Sequence, residues 1–299
     1  MSSSSPLVQV EESKTMAAAG VEITPSLAAR LLSHRRATSL LRRIFVFHET
    51  MNPQEIIQLR SSSKLLRNVL RPPPLWTSFP NSNHATLQSL LDRLGELRGK
   101  EEASGSSKEE SSSSSSSVPS LVLIDEGEYV GGNVVIKYPV SIIGQGREKT
   151  TLSFGLKIQG KKREGDVVIV DSLKIKECHR DGVRAYEGMD VVMRRCTMEK
   201  CPGIGVYAYN AHVSCDDLQV VGCGWSGVDA YNNSTVKLSG EDTSIRGNCT
   251  KGRSDDYGLD ASSDSKIQLV SPLTKEKIST SNGGGGNWGG DGTIEEVSQ

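Results

Sequence analysis

Gly182-Val-Arg-Ala-Tyr186, Gly205-Val-Tyr-Ala-Tyr209 and Gly227-Val-Asp-Ala-Tyr231 are copies of one phrase, with a looser fourth at Gly258-Leu-Asp-Ala-Ser262. Their glycines stand 23, 22 and 31 residues apart. A second phrase precedes the first three copies: Leu173-x-Ile175 with Cys178, Cys196-x-Met198 with Cys201, and Leu218-x-Val220 with Cys223. Val168, Val191 and Val213 open the repeats at matching places. A period of about 22 residues holding three short alternating runs fits a coil of three strands. Leucine-rich repeats share that length, but their Leu-x-x-Leu-x-Leu and asparagine signature is missing. The repeat therefore predicts a mainly β fold, a right-handed parallel β-helix, preceded by a small α-helical region.

Stacked coils lie ~4.8 Å apart, the ordinary strand spacing, so equivalent side chains form ladders. Strict alternation turns Val183, Val206 and Val228 inward, together with Ala185, Ala208 and Ala230, and leaves the residues between them facing out. Two outward columns follow. One is Arg184, Tyr207, Asp229 and Asp260; the other is Tyr186, Tyr209 and Tyr231. Asp229 and Asp260 become neighbours if the longer fourth repeat simply loops out. Cys178, Cys201 and Cys223 share one coil position and read as a buried ladder of free thiols. Paired Cys/His spacing for zinc is absent, so no metal and no cofactor are expected.

The composition agrees. Of 299 residues 35% are hydrophobic and only 5% aromatic, while 30 are glycine. That is lean for a packed sandwich but sufficient for a solenoid, where each repeat buries a thin apolar stripe. A formal net charge of −1 gives no global pull toward nucleic acid or an anionic membrane. No apolar run reaches the ~20 residues of a membrane helix. Residues 1–20 lack the basic flank and apolar run of a secretory signal, so a cytoplasmic or nuclear location is expected. The sequons at Asn232, Asn233 and Asn248 then read as turn asparagines.

Residues 1–20 are polar and Ser-rich and read as disordered. Residues 21–80 carry helical spacing, with start signals at Thr24-Pro25 and Asn52-Pro53 and a stop at Pro72-Pro73-Pro74. A further helix is expected over 84–98, followed by a Ser-rich segment over 100–119 that cannot build a core. Strand signals begin at Leu121. The β-helix is assigned to 81–275, and 276–299 is read as a Gly-rich tail in which Trp288 and Ile294 suggest a last incomplete coil.

Two resemblances sharpen this. Thr86-Leu-Gln-Ser-Leu-Leu-Asp-Arg-Leu94, Leu121-Val-Leu-Ile-Asp-Glu-Gly-Glu-Tyr129 and Asn133-Val-Val-Ile-Lys-Tyr-Pro-Val-Ser-Ile-Ile-Gly-Gln-Gly146 resemble the capping helix and first coils of pectin-lyase-like right-handed β-helix proteins. The likeness spans residues 83–270 and implies that the Ser tract is an insertion inside the domain. Residues 44–79 resemble the latter half of an F-box, with Ile57, Leu59, Ser63, Lys64, Leu75 and Trp76 at its places; the family's leading Leu-Pro is not at its usual distance. That likeness implies that Leu75 and Trp76 contact a partner helix and that a ubiquitin-ligase scaffold is a partner.

Function is read from these columns. The clustered aspartates and basic residue of the superfamily's polyuronide enzymes are not evident. Asp229, Asp260 and Arg184 are the catalytic candidates, and a solvated polar face is their plainer account. Tyr186, Tyr207, Tyr209 and Tyr231 are the binding candidates, since rigid amphipathic rings suit interfaces. Arg and Lys outnumber acids over 30–71, a surface that suits an acidic protein partner better than nucleic acid. The expectation is a recognition or scaffold protein that binds a protein partner through the β-helix wall, leaning away from catalysis. A carbohydrate-active lyase, hydrolase or epimerase is the alternative, and a sugar-binding or structural wall the third.

Overall fold

The computed structural model describes residues 76–105, 118–160 and 166–298. The repeat folds into stacked coils whose strands are parallel throughout, each coil supplying one strand to each of three sheets. The first wall has nine strands and runs from Trp76–Phe79 and Leu121–Ile124 to Thr293–Val297. The second has seven, from Gly127–Tyr129 to Ser279–Thr280, and the third has seven, from Val134–Ile136 to Gly286–Gly289. Among the described residues no helix is long and apolar enough to cross a membrane.

Register follows the repeat. Val183, Val206, Val228 and Leu259 pair in sequence across the third wall, as do Ala185, Ala208, Ala230 and Ala261, and all eight are 0% exposed. Val168, Val191 and Val213 form the matching ladder in the first wall. Burial of these stripes drives coil stacking, at ~25 cal/mol for each Å² of apolar surface removed from water.

The repeat's glycine has a steric cause. A Cβ on Gly205 would lie 2.3 Å from Val220 Cγ1 and 2.6 Å from the Gly227 carbonyl oxygen. Gly182 and Gly227 meet the next coil's carbonyl at 2.6 and 2.7 Å in the same way. The chain enters the third wall so close to the coil above that no side chain fits. Corners are turned differently, by single left-handed residues: Ser172, Arg195 and Asp217 after the first wall, at φ of 54°, 48° and 52°.

Cys178, Cys201 and Cys223 stack at one corner, buried and free. Contact with the Cys178 thiol, then with that of Cys223, together with burial, raises the Cys201 pKa. The column continues as asparagine. Asn248 is 1% exposed; its Oδ1 accepts from Cys223 N–H at 2.9 Å, and its Nδ2 donates to Val220 C=O at 3.1 Å and Asn282 Oδ1 at 3.0 Å. This is a buried structural amide. Asn232 and Asn233 occupy left-handed turns, the role expected for them.

A helix, α1 (Leu87–Gly105), closes the bottom. Thr86 caps it, its hydroxyl accepting from Ser89 N–H at 3.1 Å, and Leu87, Leu90, Leu91 and Leu94 are buried in the core. Gln88 completes the third wall's edge by pairing like a strand: its Oε1 accepts from Val135 N–H at 2.6 Å and its Nε2 donates to Val135 C=O at 3.3 Å. Edge groups answered this way offer no template for another chain.

Three boundaries move. The capping helix continues past 98 into what was read as the Ser-rich insertion. Among the described residues the β-helix begins with the strand Trp76–Phe79, ahead of the expected boundary at 81; Trp76 pairs with Leu121 and is 3% exposed. The segment 276–299, read as a tail, adds one more strand to every wall, with a short helix α2 (Lys275–Ile278) ahead of them. Its third-wall strand, Gly286–Gly289, lacks β-branched residues, which is why propensity missed it. The expected disorder over 1–20, the helices and F-box-like residues before Trp76, Leu75 among them, and residues 106–117 lie outside the described residues.

Alanine at these glycines separates crowding from conformational freedom. Gly205→Ala should cost ~1–3 kcal/mol through overpacking, whereas Gly99→Ala, where a Cβ meets nothing within 4 Å, should stabilise α1 by ~0.5–1 kcal/mol. Urea unfolding midpoints measure both.

Candidate functional site

Outward residues of the third wall form a column in strict register: Arg184 beside Tyr207, Tyr207 beside Asp229, Asp229 beside Asp260. The longer fourth repeat loops out, and the strand Tyr257–Ser262 returns to pair with Val228–Tyr231 as if nothing had been inserted. The loop's residues Arg253, Asp255 and Asp256 join Tyr207, Asp229 and Asp260 around a groove of about 410 Å³. Arg180, Asp181 and Trp225 close its other side.

Each arginine of the groove faces a carboxylate, although the buried Arg184 Nε makes no hydrogen bond. Arg184 Nε lies 3.1 Å from Asp181 Oδ2, and Arg180 Nε 3.6 Å from the same oxygen. Asp181 Oδ1 accepts from Ile204 N–H at 2.7 Å, which fixes that carboxylate to the backbone. Arg253 binds Asp255, with Nη2 to Oδ2 at 2.9 Å. Three cations surround one ring: Arg180, Lys251 and Arg253 lie 5.2, 5.4 and 5.3 Å from the centre of Trp225.

The acids are not all answered. Burial in the groove, then the nearby charges of Asp260, Asp256 and Asp181, push the Asp229 pKa up to about 8. Asp260 accepts from Ser226 at 3.2 Å and Ser262 at 3.0 Å. Burial still outweighs those bonds and lifts its pKa to about 6. Asp256 is 8% exposed, and its Oδ2 is buried without a hydrogen-bond partner; burial raises its pKa as well.

The tyrosines adjoin the groove. Tyr207 and Tyr231 line it. Tyr209 lies between Tyr186 and Tyr231, with ring centres at 6.1 and 5.9 Å, and Tyr207 meets both Tyr186 and Tyr209 at 6.4 Å. Arg184 stacks on Tyr186 and Tyr207. The result is a continuous aromatic strip leading into a charged groove, and Tyr209 and Tyr231 are its exposed rings, at 36% and 41%.

The structure therefore brings Arg184, Tyr207, Asp229, Asp260 and the tyrosine column to one face of the third wall. Sequence reasoning missed Asp181, Trp225, Asp256 and the loop arginine. Asp181 and Ser226 each immediately precede a repeat glycine, a positional signal that was available; nothing in the sequence announces that the inserted loop folds back over the column. Among the described residues no group of three or more His, Cys, Asp or Glu side chains is placed to hold a metal ion.

The strain on Asp229 makes a measurable claim. A carboxyl whose pKa rises on folding favours the protonated form, so its contribution to stability is complete below the ordinary aspartate value of 3.8 and is lost as pH rises toward about 8. Asp229→Asn removes this loss. The variant should melt above the parent at pH 8, by ~2–4 °C for each kcal/mol relieved, with the gap closing toward pH 4. Calorimetric scans across that window check it, and a pH-independent gap contradicts it.

A family model described as a right handed beta helix region matches residues 155–272. No curated protein and no solved structure matches the chain. The matched segment spans the coils that carry Arg184, Asp229, Asp260 and the tyrosines. Repeat, register and family model agree: this chain carries a right-handed parallel β-helix.

Proposed function

We propose that this protein is a recognition subunit whose third wall grips a protein partner and whose N-terminal segment attaches that partner to a larger assembly. The observation carrying the reading is the continuity between the tyrosine strip and the groove. Exposed tyrosines, a tryptophan and arginines are the residue types that dominate protein interfaces. They bring large rigid contact area at low entropic cost, and a solenoid wall presents them in a row. The resemblance of residues 44–79 to an F-box supports a ubiquitin-ligase scaffold as the attachment point, because that motif joined to a pectin-lyase-like β-helix makes a substrate adaptor. Within that resemblance the attachment rests on Leu75 and Trp76, with Ile57, Leu59, Ser63 and Lys64 at the motif's other places.

One observation favours a second reading, a carbohydrate-active enzyme. Asp229 and Asp260 occupy adjacent rungs, which sets their backbones ~4.8 Å apart, and two carboxyls with separated pKa values are the usual acid and partner of glycoside chemistry. Against it, Asp260 is held by two serine hydroxyls as a structural acceptor.

Co-precipitation separates the two. The full-length chain should capture an F-box-binding scaffold subunit, Leu59→Asp should abolish capture, and Tyr209→Ala with Tyr231→Ala should leave it intact. Failure of the parent chain to capture that subunit sinks the adaptor role. If the purified protein instead cleaves polygalacturonate and Asp229→Asn stops turnover while melting no lower than the parent, the enzyme reading replaces it.

A further inference from the structure

The charges of the groove do not balance internally. Each lining arginine already faces an acid: Arg180 and Arg184 share Asp181, and Arg253 takes Asp255. Asp256 lies 3.7 Å from the same Arg253, and among the described residues two lining acids, Asp229 and Asp260, face no cation. Among the described residues no donor reaches the Asp229 carboxylate, and no cation opposes it, because Tyr207 occupies the rung between it and Arg184. Asp256 supplies an independent sign. Its side chain is 11% exposed and lines the groove, and Oδ2 takes no hydrogen bond, its one ion-pair contact being Arg253 Nε at 3.7 Å. A buried acceptor left open in this way is costly unless something fills it.

The missing group is a cation of particular shape. Tyr207 lies one rung below Asp229, and Tyr231 lies two residues along the same strand on the same outward face, so a carboxylate is flanked by two rings. A planar guanidinium suits that arrangement: it stacks on aromatic faces and offers paired donors to a carboxylate, where an ammonium gives one point charge. Among the described residues no group of three or more His, Cys, Asp or Glu side chains is placed for a metal ion. We propose that the floor of the groove, Asp229 with Asp256 and Asp260 between Tyr207 and Tyr231, takes an arginine side chain of the partner, the rest of which lies along the tyrosine strip. The proposal rests on the recognition reading and names the chemistry of the partner. Ser226 and Ser262 hold the two oxygens of Asp260 in place, and Trp225 with its three cations walls the far side against a second basic residue. Arginine is thus admitted at one place, with neutral or acidic residues favoured next to the Trp225 side.

The test uses the full chain and arrays of heptapeptides, acetylated and amidated so that the only cation is the central side chain. The centre is arginine, lysine, citrulline or glutamate, with the flanks randomised over neutral residues. Arginine-centred peptides should be retained about tenfold over citrulline, as expected for a desolvated charge pair, with lysine between them. Asp229→Asn and, independently, Asp256→Asn should bring arginine and citrulline close to parity, with melting curves showing that both variants fold. Tyr209→Ala with Tyr231→Ala should lower retention of every peptide. Retention that is equal for arginine and citrulline in the parent, yet lost in the tyrosine double variant, overturns the arginine pocket and leaves the recognition reading standing. An arginine preference that survives both aspartate variants also overturns the pocket. If no peptide of any centre is retained, the recognition reading fails and this proposal falls with it.

Discussion

The three walls of this molecule are positioned by the in-register stacking of its coils. Inward Val and Ala ladders leave no freedom to slide, since a slip of one residue would send every buried side chain out and every outward one in. The backbone hydrogen bonds between coils then hold the spacing. A residue's place in its repeat decides which residues it touches above and below. Tyr209 meets Tyr231, and Asp229 meets Asp260, for the same reason that Ala208 meets Ala230.

That constraint explains why like groups accumulate. In a ladder, a charged residue is stacked on whatever occupies its position one coil away, and two acids in one column face each other without a helix turn or strand crossing between them. Stacked tyrosines gain from this, because aromatic pairs across strands are favourable. Stacked aspartates lose. The third wall carries both, so its aromatic stretch supports the fold while its acidic stretch strains it. Sites that work against stability in this manner are where function is looked for.

Much of this was legible in the sequence. The ladders of Val183, Val206 and Val228, the thiol column and the outward Tyr and Asp columns all follow from period and alternation, and they are local properties of each repeat. What escaped depends on chemistry that changes residue type while keeping position. Asn248 and Asn282 continue the cysteine column because a buried amide satisfies the same corner through hydrogen bonds, so a search for like residues ends at Cys223. Trp76 starts the first coil across a long separation from Leu121, which no local pattern reveals. The strand Gly286–Gly289 is held by its neighbour and has little propensity of its own. The groove was half legible: its column was readable, its lid was not.

The lid deserves a last consequence. Past the corner where Asn248, Cys249 and Lys251 are tied to the coil below, the loop runs out and rejoins the third wall at Tyr257. The core therefore does not sense how many residues lie between. Chain can be added, removed or exchanged there at the modest entropic cost of a longer surface loop, while the acids on the wall beneath stay where stacking puts them. Such an architecture separates inheritance from invention: a lineage can rewrite what the groove selects by editing one hairpin-like excursion, and never renegotiate the fold.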